Sequence, residues 1–428
     1  MKKQLKIGVI GLGYVGLPIS IALSKYFYVT AFDLSKKRVK SLIKGDDINK
    51  DVNLKDNNTN INYTYNFEDL RSSNFYIVCV PTPIKKNKLP DLSYLKKASI
   101  SIGKVISKNN IVVFESTVYP GTTEEICAPL IEKNSNLKVF KKNDNILKKT
   151  GFFIGYSPER INPGDINRKL TNISKLVSSN HKESLNIIYK VYKKIIRAKV
   201  YKYDSIKICE SAKVIENVQR DVNIALINEF AIIFKKMNID VYKVLEAAST
   251  KWNFLNYKPG LVGGHCIGVD PYYLSYIAKV NGIYPKMILN GREINDSMNL
   301  HVVKDIKQIS KKLDINFSKS KILIMGYAFK ENCSDIRNTQ VKNILDKIKN
   351  KVNLVHIFDP PVNKNIDKDL KKYFKNSLKK NYYDIIIITV PHDFIIKKDI
   401  KYINSLTTKK SFIYDLKNIY NNDKFYTL

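Results

Sequence analysis

A glycine-rich turn near the N-terminus constrains the fold of this chain more than any other feature. The apolar segment 5–10 runs directly into Gly11-Leu12-Gly13-Tyr14-Val15-Gly16, and an apolar helical pattern follows. A second apolar segment then ends at Asp33. Strand, glycines, helix, strand and acid in this order are typical of a dinucleotide-binding unit, in which the glycines allow the turn, the approach of the pyrophosphate and helix packing. A glycine-rich turn in another kind of α/β domain is the alternative.

The acid after the second strand indicates which dinucleotide binds. Asp33 stands where a carboxylate accepts hydrogen bonds from the adenosine ribose, and its charge would repel a 2′-phosphate. NAD is therefore favoured over NADP. Basic residues can serve NADP, and Lys36, Lys37 and Arg38 follow the acid directly. We include Arg38 among the predicted cofactor contacts.

Further polar turns follow other predicted strands. Thr82 comes after one apolar run, and Ser116 and Thr117 come after the next. Because ligands of doubly wound sheets bind beyond the carboxyl ends of the strands, we predict that these hydroxyls face the nicotinamide half of the cofactor. A third turn carries Glu159 and Arg160. Taken singly, each of these would be read as a capping hydroxyl or a surface acid.

A long helical pattern runs from residue 205 to about 237. Lys213 and Asn217 are four residues apart on it and share a face. A lysine beside an amide could stabilise an oxyanion, whereas a solvated helix face is the ordinary explanation of such spacing. A helix of this length between two α/β units also suits dimerisation.

One loop crowds four glycines around a cysteine. The segment Lys258-Pro-Gly260-Leu-Val-Gly263-Gly264-His-Cys266-Ile-Gly268 leads to Asp270 four residues later. Glycines let a backbone approach a ligand closely, so we predict that Cys266 is a nucleophile. Asp270 could hold a water or take a proton. The alternative is a buried cysteine in a tight turn.

The last part of the chain, from about residue 315, alternates predicted strands and helices, which indicates a second parallel α/β domain. Its first turn lacks the glycine fingerprint and offers Lys330 and Arg337, which suit a phosphate or nucleotide. The predicted fold class is α/β, with two Rossmann-like doubly wound domains joined by a long central helix or helical domain. The predicted domains are 1–200 for NAD binding, 201–312 for the central helices, the cysteine loop and dimerisation, and 313–428 for binding a second nucleotide.

Cysteine usage and hydropathy bear on the compartment. The five cysteines are widely spread, without CxxC or histidines at zinc spacing, so we predict a reducing, cytoplasmic compartment, no disulfide framework and no metal. Glycines interrupt the apolar N-terminal stretch, which indicates a strand rather than a signal peptide. The longest apolar run, Ile385 to Val390, is strand-sized, so no membrane insertion is predicted.

The net charge of +34 admits two explanations. A nucleic-acid binder would be basic. A compositional preference for Lys, Asn and Ile would scatter lysines over every exposed face. The lysines are spread from end to end and no nucleic-acid module appears, so we favour the compositional explanation and predict no nucleic-acid partner.

Several blocks together resemble the UDP-sugar and GDP-mannose 6-dehydrogenases over essentially the whole chain. They are GLGYVGLP, VPTP with PDLSYL, ESTVYPGTT, SPERINPGD, AKVIENVQRDVNIALINE, KWNFLNYKPGLVGGHCIGVDPYY and GYAFKENCSDIRNT. The AKVIENVQRD and GLVGGHCIGVDPYYL blocks look most like the branch that acts on UDP-N-acetylglucosamine or UDP-N-acetylgalactosamine. Where glucose-type enzymes have a second glutamate, this chain has Pro163, which fits that branch.

The resemblance implies catalytic roles for matching residues. The family oxidises the sugar C6 alcohol to a carboxylate with two NAD⁺. Cys266 would capture the aldehyde, and hydride transfer from the thiohemiacetal would give a thioester that water hydrolyses. Lys213 and Asn217 match the oxyanion pair, and Asp270 matches an acid near the water. Glu159 matches a glutamate assigned to acid/base work on the thioester.

The resemblance also implies binding roles. Thr117 matches a residue beside the nicotinamide and the catalytic water, Lys330 a contact to UDP, and Arg337 a contact to the cofactor. The predicted contacts to the nucleotide sugar are Glu159, Arg160, Lys213, Asn217, Lys258, Gly260, Gly263 and Lys330.

The sequence thus predicts a homodimeric or higher-order UDP-N-acetylhexosamine 6-dehydrogenase that supplies an aminouronic acid for a surface polysaccharide. A sibling acting on UDP-glucose, UDP-N-acetylmannosamine or GDP-mannose is the alternative within the family. A basic nucleic-acid-binding protein on a dehydrogenase scaffold is the alternative from another class. The C4 configuration of the sugar depends on pocket shape and stays open.

Overall fold

The computed structural model describes residues 4–47, 54, 60–160, 170–362 and 366–428. The polar composition of residues 50–60 predicts a surface excursion, and most of that stretch lies outside the described residues, as do residues 161–169 with Pro163. The chain divides into two compact units. The first unit is Met1–Glu216 with Tyr272–Ile283, and the second is Asn217–Pro271 with Tyr284–Leu428.

The first unit contains a mainly parallel sheet. Its strands are β1 (Lys6–Ile10), β2 (Tyr28–Phe32), β3 (Ile61–Thr64), β4 (Phe75–Val78), β5 (Ile111–Phe114), β6 (Lys138–Val139), β7 (Gly151–Tyr156), β8 (Lys175–Ser179) and β9 (Val200–Tyr203). Their order is β3-β2-β1-β4-β5-β7-β8-β9, with β6 beside β7, and the pair β7–β8 is antiparallel. The order 3-2-1-4-5 is that of a doubly wound sheet, so the predicted Rossmann-like arrangement is confirmed.

Helices connect these strands. They are α1 (Gly16–Ser24), α2 (Lys36–Ile43), α3 (Ser93–Val105), α4 (Ala128–Ser135) and α5 (Lys182–Ile195). The strands β4 and β5 are buried along their whole length, as expected where helices cover both faces of a parallel sheet. On α5 the apolar side chains recur every three or four residues and pack into the core below the sheet.

A helical segment follows the first sheet. It comprises α6 (Ile206–Lys236), α7 (Val241–Ser249), α8 (Asp270–Val280) and α9 (Lys286–Lys312). The predicted long central helix is therefore present as α6, and the sequence boundary between the two units falls within it, after Glu216. Among the helices of the described residues, none combines the length and the hydropathy needed to cross a membrane.

The second unit contains a smaller, wholly parallel sheet. Its strands are β10 (Lys321–Met325), β11 (Leu354–Phe358), β12 (Tyr383–Ile388) and β13 (Thr407–Asp415), in the order β11-β10-β12-β13. The helices of this part are α10 (Gln340–Ile348), α11 (Lys368–Lys371), α12 (Asp393–Ile396) and α13 (Ile400–Ser405). The apolar pattern predicts the last strand only from Phe412, whereas β13 begins five residues earlier. The pattern missed the first half of β13 because that half is not buried and shows no apolar run.

Candidate functional site

The glycine turn after β1 has the geometry that a bound pyrophosphate requires. Gly11 has φ +95°, and its N–H donates to the Phe32 carbonyl at 2.9 Å. A Cβ at Gly16 would lie 1.8 Å from the Gly11 oxygen, so helix and strand can pack only without a side chain there. A Cβ at Gly13 would meet no described atom within 4 Å, which leaves room for a ligand. Val15 caps α1 without a side-chain hydrogen bond, so no side chain takes the phosphate position at this helix N-terminus.

Asp33 and Arg38 both hold this turn. Asp33 accepts hydrogen bonds from the Leu12 N–H and the Ser35 N–H, each at 2.8 Å. The Arg38 guanidinium is buried, donates to the Leu12 carbonyl at 3.2 Å and pairs with Asp47. Its charge is thus engaged inside the protein, which favours NAD over a cofactor with a 2′-phosphate. The direct cofactor contact predicted for Arg38 stays a prediction.

The hydroxyl groups predicted to face the nicotinamide lie on two loops that are tied together. Thr82 Oγ1 donates to the Thr117 carbonyl at 2.7 Å, and Ser116 Oγ donates to the Val80 carbonyl at 2.6 Å. They therefore link the loops after β4 and β5 and do not cap helices. The structure brings Thr82, Ser116 and Thr117 together at the carboxyl end of the sheet.

The loop after Ser116 and Thr117 is held by a residue that the sequence did not reveal. Glu210 on α6 is fully buried and accepts from the N–H groups of Gly121 at 2.6 Å and Thr123 at 2.9 Å. Burial raises the pKa of this carboxyl, while the hydrogen bonds from Thr123 and Gly121 oppose the rise. The sequence could not reveal that Glu210 holds this loop, because α6 carries several other charged residues and nothing in the spacing of Glu210 sets it apart from them.

The turn after β7 carries Glu159 and Arg160. The Arg160 N–H donates to Glu159 Oε1 at 2.6 Å, and the Arg160 guanidinium pairs with Glu216 at 2.7 Å. Glu159 also lies 3.6 Å from the ammonium of the buried Lys175. Lys175 in turn pairs with the buried Glu115 at 2.5 Å. Sequence reasoning missed both Lys175 and Glu115.

On α6 the predicted oxyanion residues are buried. Lys213 in the first unit is 7% exposed and Asn217 in the second is 5% exposed. The alternative explanation of their spacing, a helix face exposed to solvent, is therefore wrong. Asn217 Nδ2 donates to Asp270 Oδ2 at 2.5 Å, and Asp270 is also buried. The structure thereby joins two of the predicted catalytic residues within the second unit.

The cysteine loop is fixed at its start by an asparagine. Gly260 donates its N–H to Asn228 Oδ1 at 2.8 Å, and Asn228 Nδ2 donates to the Gly260 carbonyl at 3.0 Å. Asn228 also donates to Asn295, whose amide donates to Asp221. Since these side chains are fully buried, the network gives the loop a rigid foundation.

The middle of the cysteine loop packs against the loop after β10. A Cβ at Gly263 would lie 2.7 Å from the Asn338 carbonyl oxygen, and one at Gly264, with φ +84°, would lie 2.6 Å from the Phe329 ring. The glycines thus allow a close approach of the chain to itself, and the predicted close approach to a ligand stays a prediction. Substrate contacts of Gly260, Gly263 and the exposed Lys258 stay predictions.

Cys266 lies where the cysteine loop turns into α8. It is partly exposed, and its carbonyl accepts from the N–H of Val269 at 3.0 Å and of Asp270 at 2.9 Å as the chain turns into α8. A cysteine fully buried in a tight turn is therefore not what the structure shows. Burial raises the thiol pKa to about 12 at Cys127 and to about 11 at Cys209, and it also raises the thiol pKa of Cys79 and of Cys333. A raised pKa disfavours the nucleophilic thiolate at those positions.

The turn after β10 carries Lys330 and Arg337. Arg337 pairs with Asp335 at 2.5 Å, and His265 Nδ1 lies 3.5 Å from the same carboxylate. Burial opposes ionisation of Asp335, but the hydrogen bonds and charge of Arg337 lower its pKa overall. Lys330 is partly exposed in the same turn. The predicted contacts of Lys330 with UDP and of Arg337 with the cofactor stay predictions.

Comparisons with known proteins cover nearly the whole chain. Family models of the UDP-glucose/GDP-mannose dehydrogenases match residues 5–196 as the NAD binding domain, 207–297 as the central domain and 323–422 as the UDP binding domain. The chain is 46% identical to protein CapL of Staphylococcus aureus over 98% of this chain and 97% of that protein. It is 44% identical to a UDP-N-acetyl-D-glucosamine 6-dehydrogenase of Salmonella typhi over 97% and 96%.

A solved structure agrees with this assignment. The UDP-D-ManNAc dehydrogenase of Pyrococcus horikoshii superposes with a TM-score of 0.85 at 30% identity, covering 97% of this chain and 96% of that one. The glycine turn, the acid after β2 and the second parallel sheet are the parts that an NAD binding domain and a UDP binding domain require. The chain belongs to the UDP-glucose/GDP-mannose dehydrogenase family and is an NAD-dependent nucleotide-sugar dehydrogenase.

Proposed function

We propose that this protein oxidises the C6 alcohol of a UDP-N-acetylhexosamine, UDP-N-acetylglucosamine or UDP-N-acetylgalactosamine, to the uronic acid. The product would be an aminouronic acid for a surface polysaccharide. The observation that carries the proposal is a partly exposed cysteine in a glycine-packed loop, followed by an aspartate that a buried asparagine holds at 2.5 Å. Near-full-length similarity to UDP-N-acetyl-D-glucosamine 6-dehydrogenases favours the N-acetylated substrate.

Two nucleotides must be bound. Bound NAD supplies the hydride acceptor for both oxidations. In the first unit, the open space at Gly13 and the uncapped start of α1 would receive the pyrophosphate, and Asp33 would receive the ribose hydroxyls. In the second unit, Lys330 would bind the uridine diphosphate through its charge.

Cys266 would allow two oxidations without release of an aldehyde. In the first oxidation C6 loses a hydride and its hydroxyl loses a proton. The thiolate of Cys266 then adds to the aldehyde carbon, and the second oxidation removes the remaining hydride from C6 to give a thioester. Water breaks the C–S bond. In sum, the alcohol, two NAD⁺ and water give the carboxylate, two NADH and three protons.

The surrounding residues would act on the charges that develop. The ammonium of Lys213 and the amide of Asn217 would stabilise the thiohemiacetal oxyanion. Because Asp270 accepts a hydrogen bond from Asn217, it orients that amide, and it could also hold the attacking water. Glu159 would take a proton from the water during hydrolysis.

A panel of nucleotide sugars with NAD⁺ tests the substrate. We expect the highest kcat/KM, measured by NADH absorbance, with UDP-N-acetylglucosamine or UDP-N-acetylgalactosamine. A higher value with UDP-glucose, UDP-N-acetylmannosamine or GDP-mannose would assign the protein to a sibling activity. Salt-sensitive retention of DNA with no turnover of any sugar nucleotide would instead support a nucleic-acid binder.

Replacing the nucleophile tests the covalent route. In Cys266→Ser the first oxidation needs no thiol, but the second can yield only an ester, which water hydrolyses slowly. We expect at least about a hundredfold loss of steady-state rate, or roughly 3 kcal/mol of barrier, and a uronyl ester on the protein by intact mass. Cys333→Ser is the matched control, since that cysteine is also partly exposed in the second unit, and it should change the rate little. Near-normal uronate production by Cys266→Ser would mean that Cys266 is structural.

We also propose that the protein is cytoplasmic and forms a homodimer or higher oligomer. All five cysteines are free, which fits a reducing compartment. Several large apolar side chains of α6, and one just after its end, are exposed in the single chain: Ile208, Ile215, Leu226 and Ile233 on the helix, and Met237. Light scattering should give at least twice the 49.3 kDa chain mass. The mass of a single chain at micromolar concentration would contradict self-association.

A further inference from the structure

A buried lysine beside Glu159 has no part in the proposed chemistry so far. The Lys175 side chain is 3% exposed and that of its partner Glu115 is 0% exposed. Most lysines of this chain are at the surface, and a buried ion pair seldom stabilises a protein more than well-packed apolar residues would. This pair therefore calls for an explanation other than stability.

Two of the three contacts of the Lys175 ammonium are with the turn that carries Glu159, and the remaining one is with Glu115 after β5. The ammonium donates to Glu115 Oε2 at 2.5 Å and to the Pro158 carbonyl at 3.0 Å, and it lies 3.6 Å from Glu159 Oε2. The first two contacts are hydrogen bonds, and the third is an ion pair between the ammonium and the Glu159 carboxylate. Lys175 thus holds both the backbone just before Glu159 and the Glu159 carboxylate.

The lysine is itself fixed from behind. Glu115 accepts a hydrogen bond from the hydroxyl of Tyr192, which is fully buried on α5. The Lys175 ammonium lies 5.4 Å from the centroid of the Tyr192 ring. The other oxygen of Glu159 accepts from the Arg160 N–H. One Glu159 oxygen thus accepts a backbone hydrogen bond and the other lies beside the Lys175 ammonium, and all of these groups belong to the first unit.

We propose that Lys175, anchored by Glu115 and Tyr192, is a positioning residue that orients the Glu159 carboxylate for hydrolysis of the thioester. Lys175 is the cation that both carboxylates share, and its charge favours their ionised forms. The inference rests on the acid/base role proposed for Glu159. It predicts a defect confined to hydrolysis, because neither hydride transfer uses Glu159.

The test removes the buried charges as a pair. Lys175→Met with Glu115→Gln keeps the side-chain shapes, removes both charges of the buried pair, and lets the glutamine oxygen accept from Tyr192, so that the Glu159 carboxylate loses its cation while Glu115 leaves no charge behind. Glu159→Gln is the reference for lost hydrolysis. Lys190→Met is the matched control, because Lys190 is an exposed lysine on α5.

Rapid quench and intact mass spectrometry separate the steps. For the double variant we expect a first-turnover yield of NADH like that of the unsubstituted enzyme, KM values within about twofold, and a steady-state rate lower by about tenfold or more. A uronyl thioester should accumulate on Cys266, as in Glu159→Gln. Lys190→Met should show neither change.

The outcomes separate the two proposals. If Glu159→Gln accumulates the thioester and the folded double variant does not, the positioning role of Lys175 is wrong and the proposed function stands. A loss of NADH yield in step with a lowered melting temperature, without accumulation, would show that the cluster is only structural. If Glu159→Gln does not accumulate the thioester either, the role of Glu159 fails and the inference fails with it.

A second variant covers the case in which the double variant does not fold. Lys175→Arg keeps the buried charge, but its planar guanidinium cannot reproduce the three contacts of an ammonium. We expect partial accumulation of the same thioester at a steady-state rate between those of the unsubstituted enzyme and Glu159→Gln. Normal hydrolysis in Lys175→Arg, with no adduct, would overturn the proposal.

Discussion

The two parallel sheets use the same backbone device at their first turn. In each, a glycine at positive φ follows the first strand: Gly11 at +95° after β1 and Gly326 at +91° after β10. In each, the glycine N–H donates to the carbonyl of the last residue of the neighbouring strand, Phe32 at 2.9 Å and Phe358 at 3.0 Å. An aspartate comes next, and its carboxylate accepts backbone N–H groups from the glycine turn.

The two aspartates differ in what else surrounds them. Asp33 is partly exposed. Asp359 is fully buried, accepts from the N–H groups of Tyr327 and Ala328 at 2.7 and 3.0 Å, and has His392 Nε2 at 3.1 Å from the same oxygen. The Asn332 N–H donates a hydrogen bond to Nδ1 of His392. The ring proton is therefore on Nε2, which donates a hydrogen bond to Asp359. The first acid is accessible to a ribose, and the second serves the protein itself.

The difference shows how one topology serves two kinds of nucleotide site. After Gly11, the position of Gly13 is open, whereas after Gly326 the corresponding part of the turn contains the buried Ala328. A pyrophosphate can approach the first turn but not the second in the same way. The second turn offers instead the side chain of Lys330.

The largest effect on stability should follow from removing the carboxylate of the fully buried Asp359. Asp359→Ala would leave two buried N–H groups and the His392 donor without their acceptor. We expect a loss of roughly 3 kcal/mol or more in stability, at about 1–3 kcal/mol for each unsatisfied buried group. Asp33→Ala should lose under about 1 kcal/mol, because water can replace its carboxylate. Chemical denaturation of both variants measures this, and equal losses would show that the two acids do not differ.

The next effect concerns the second turn as a nucleotide site. Lys330→Ala should raise KM for the sugar nucleotide by about tenfold or more, as expected for loss of a hydrogen bond to a charged group worth roughly 1.5–3 kcal/mol. KM for NAD⁺ should change little. Lys351→Ala, at an exposed lysine of the same unit, is the control. A rise in KM for NAD⁺ alone would mean that the two sheets have been assigned to the wrong nucleotides.

A smaller effect should follow at the accessible acid. Asp33→Ala removes the charge that repels a 2′-phosphate, so the ratio of kcat/KM for NAD⁺ to that for NADP⁺ should fall by about tenfold, or 1.4 kcal/mol. Asp46→Ala, at an exposed acid of the same unit, should leave the ratio unchanged. Equal kcat/KM for the two cofactors in the unsubstituted enzyme would contradict the role given to Asp33.

The smallest effect tests the open position in the first turn. Gly13→Ala adds a methyl group where the protein has space, so the melting temperature should stay nearly unchanged. The methyl group would occupy room needed by the pyrophosphate, so KM for NAD⁺ should rise several-fold while KM for the sugar nucleotide stays constant. A change in stability without a change in KM would show that the position serves packing.

Local patterns in the sequence were enough to predict most of the fold. Continuous apolar runs marked β4, β5 and β10, and the first glycine turn marked the cofactor side of the first sheet. The helical spacing of Lys213 and Asn217 predicted a shared face. Spacing could not predict that this face is buried, since burial depends on elements distant in the sequence.

The unpredicted parts of the site are contacts between distant segments. Asn338 contacts Gly263 and Gly264 across a sequence separation of more than seventy residues. The sequence around either segment does not indicate which distant segment it contacts. Lys175 is one of 73 basic residues, so the composition could not indicate that this lysine is buried beside Glu115. Such contacts are decided by the packing of whole elements.

The buried pair of Lys175 and Glu115 has a consequence for how sequences of this family diverge. Removing one partner leaves an uncompensated buried charge, which costs about 3–5 kcal/mol, while replacing both with neutral residues is often tolerated. A substitution at one of these two positions, which are sixty residues apart, should therefore be accompanied by a substitution at the other. Among relatives, we expect a lineage without a lysine at the first position to lack the glutamate at the second, so that the two columns of an alignment change together.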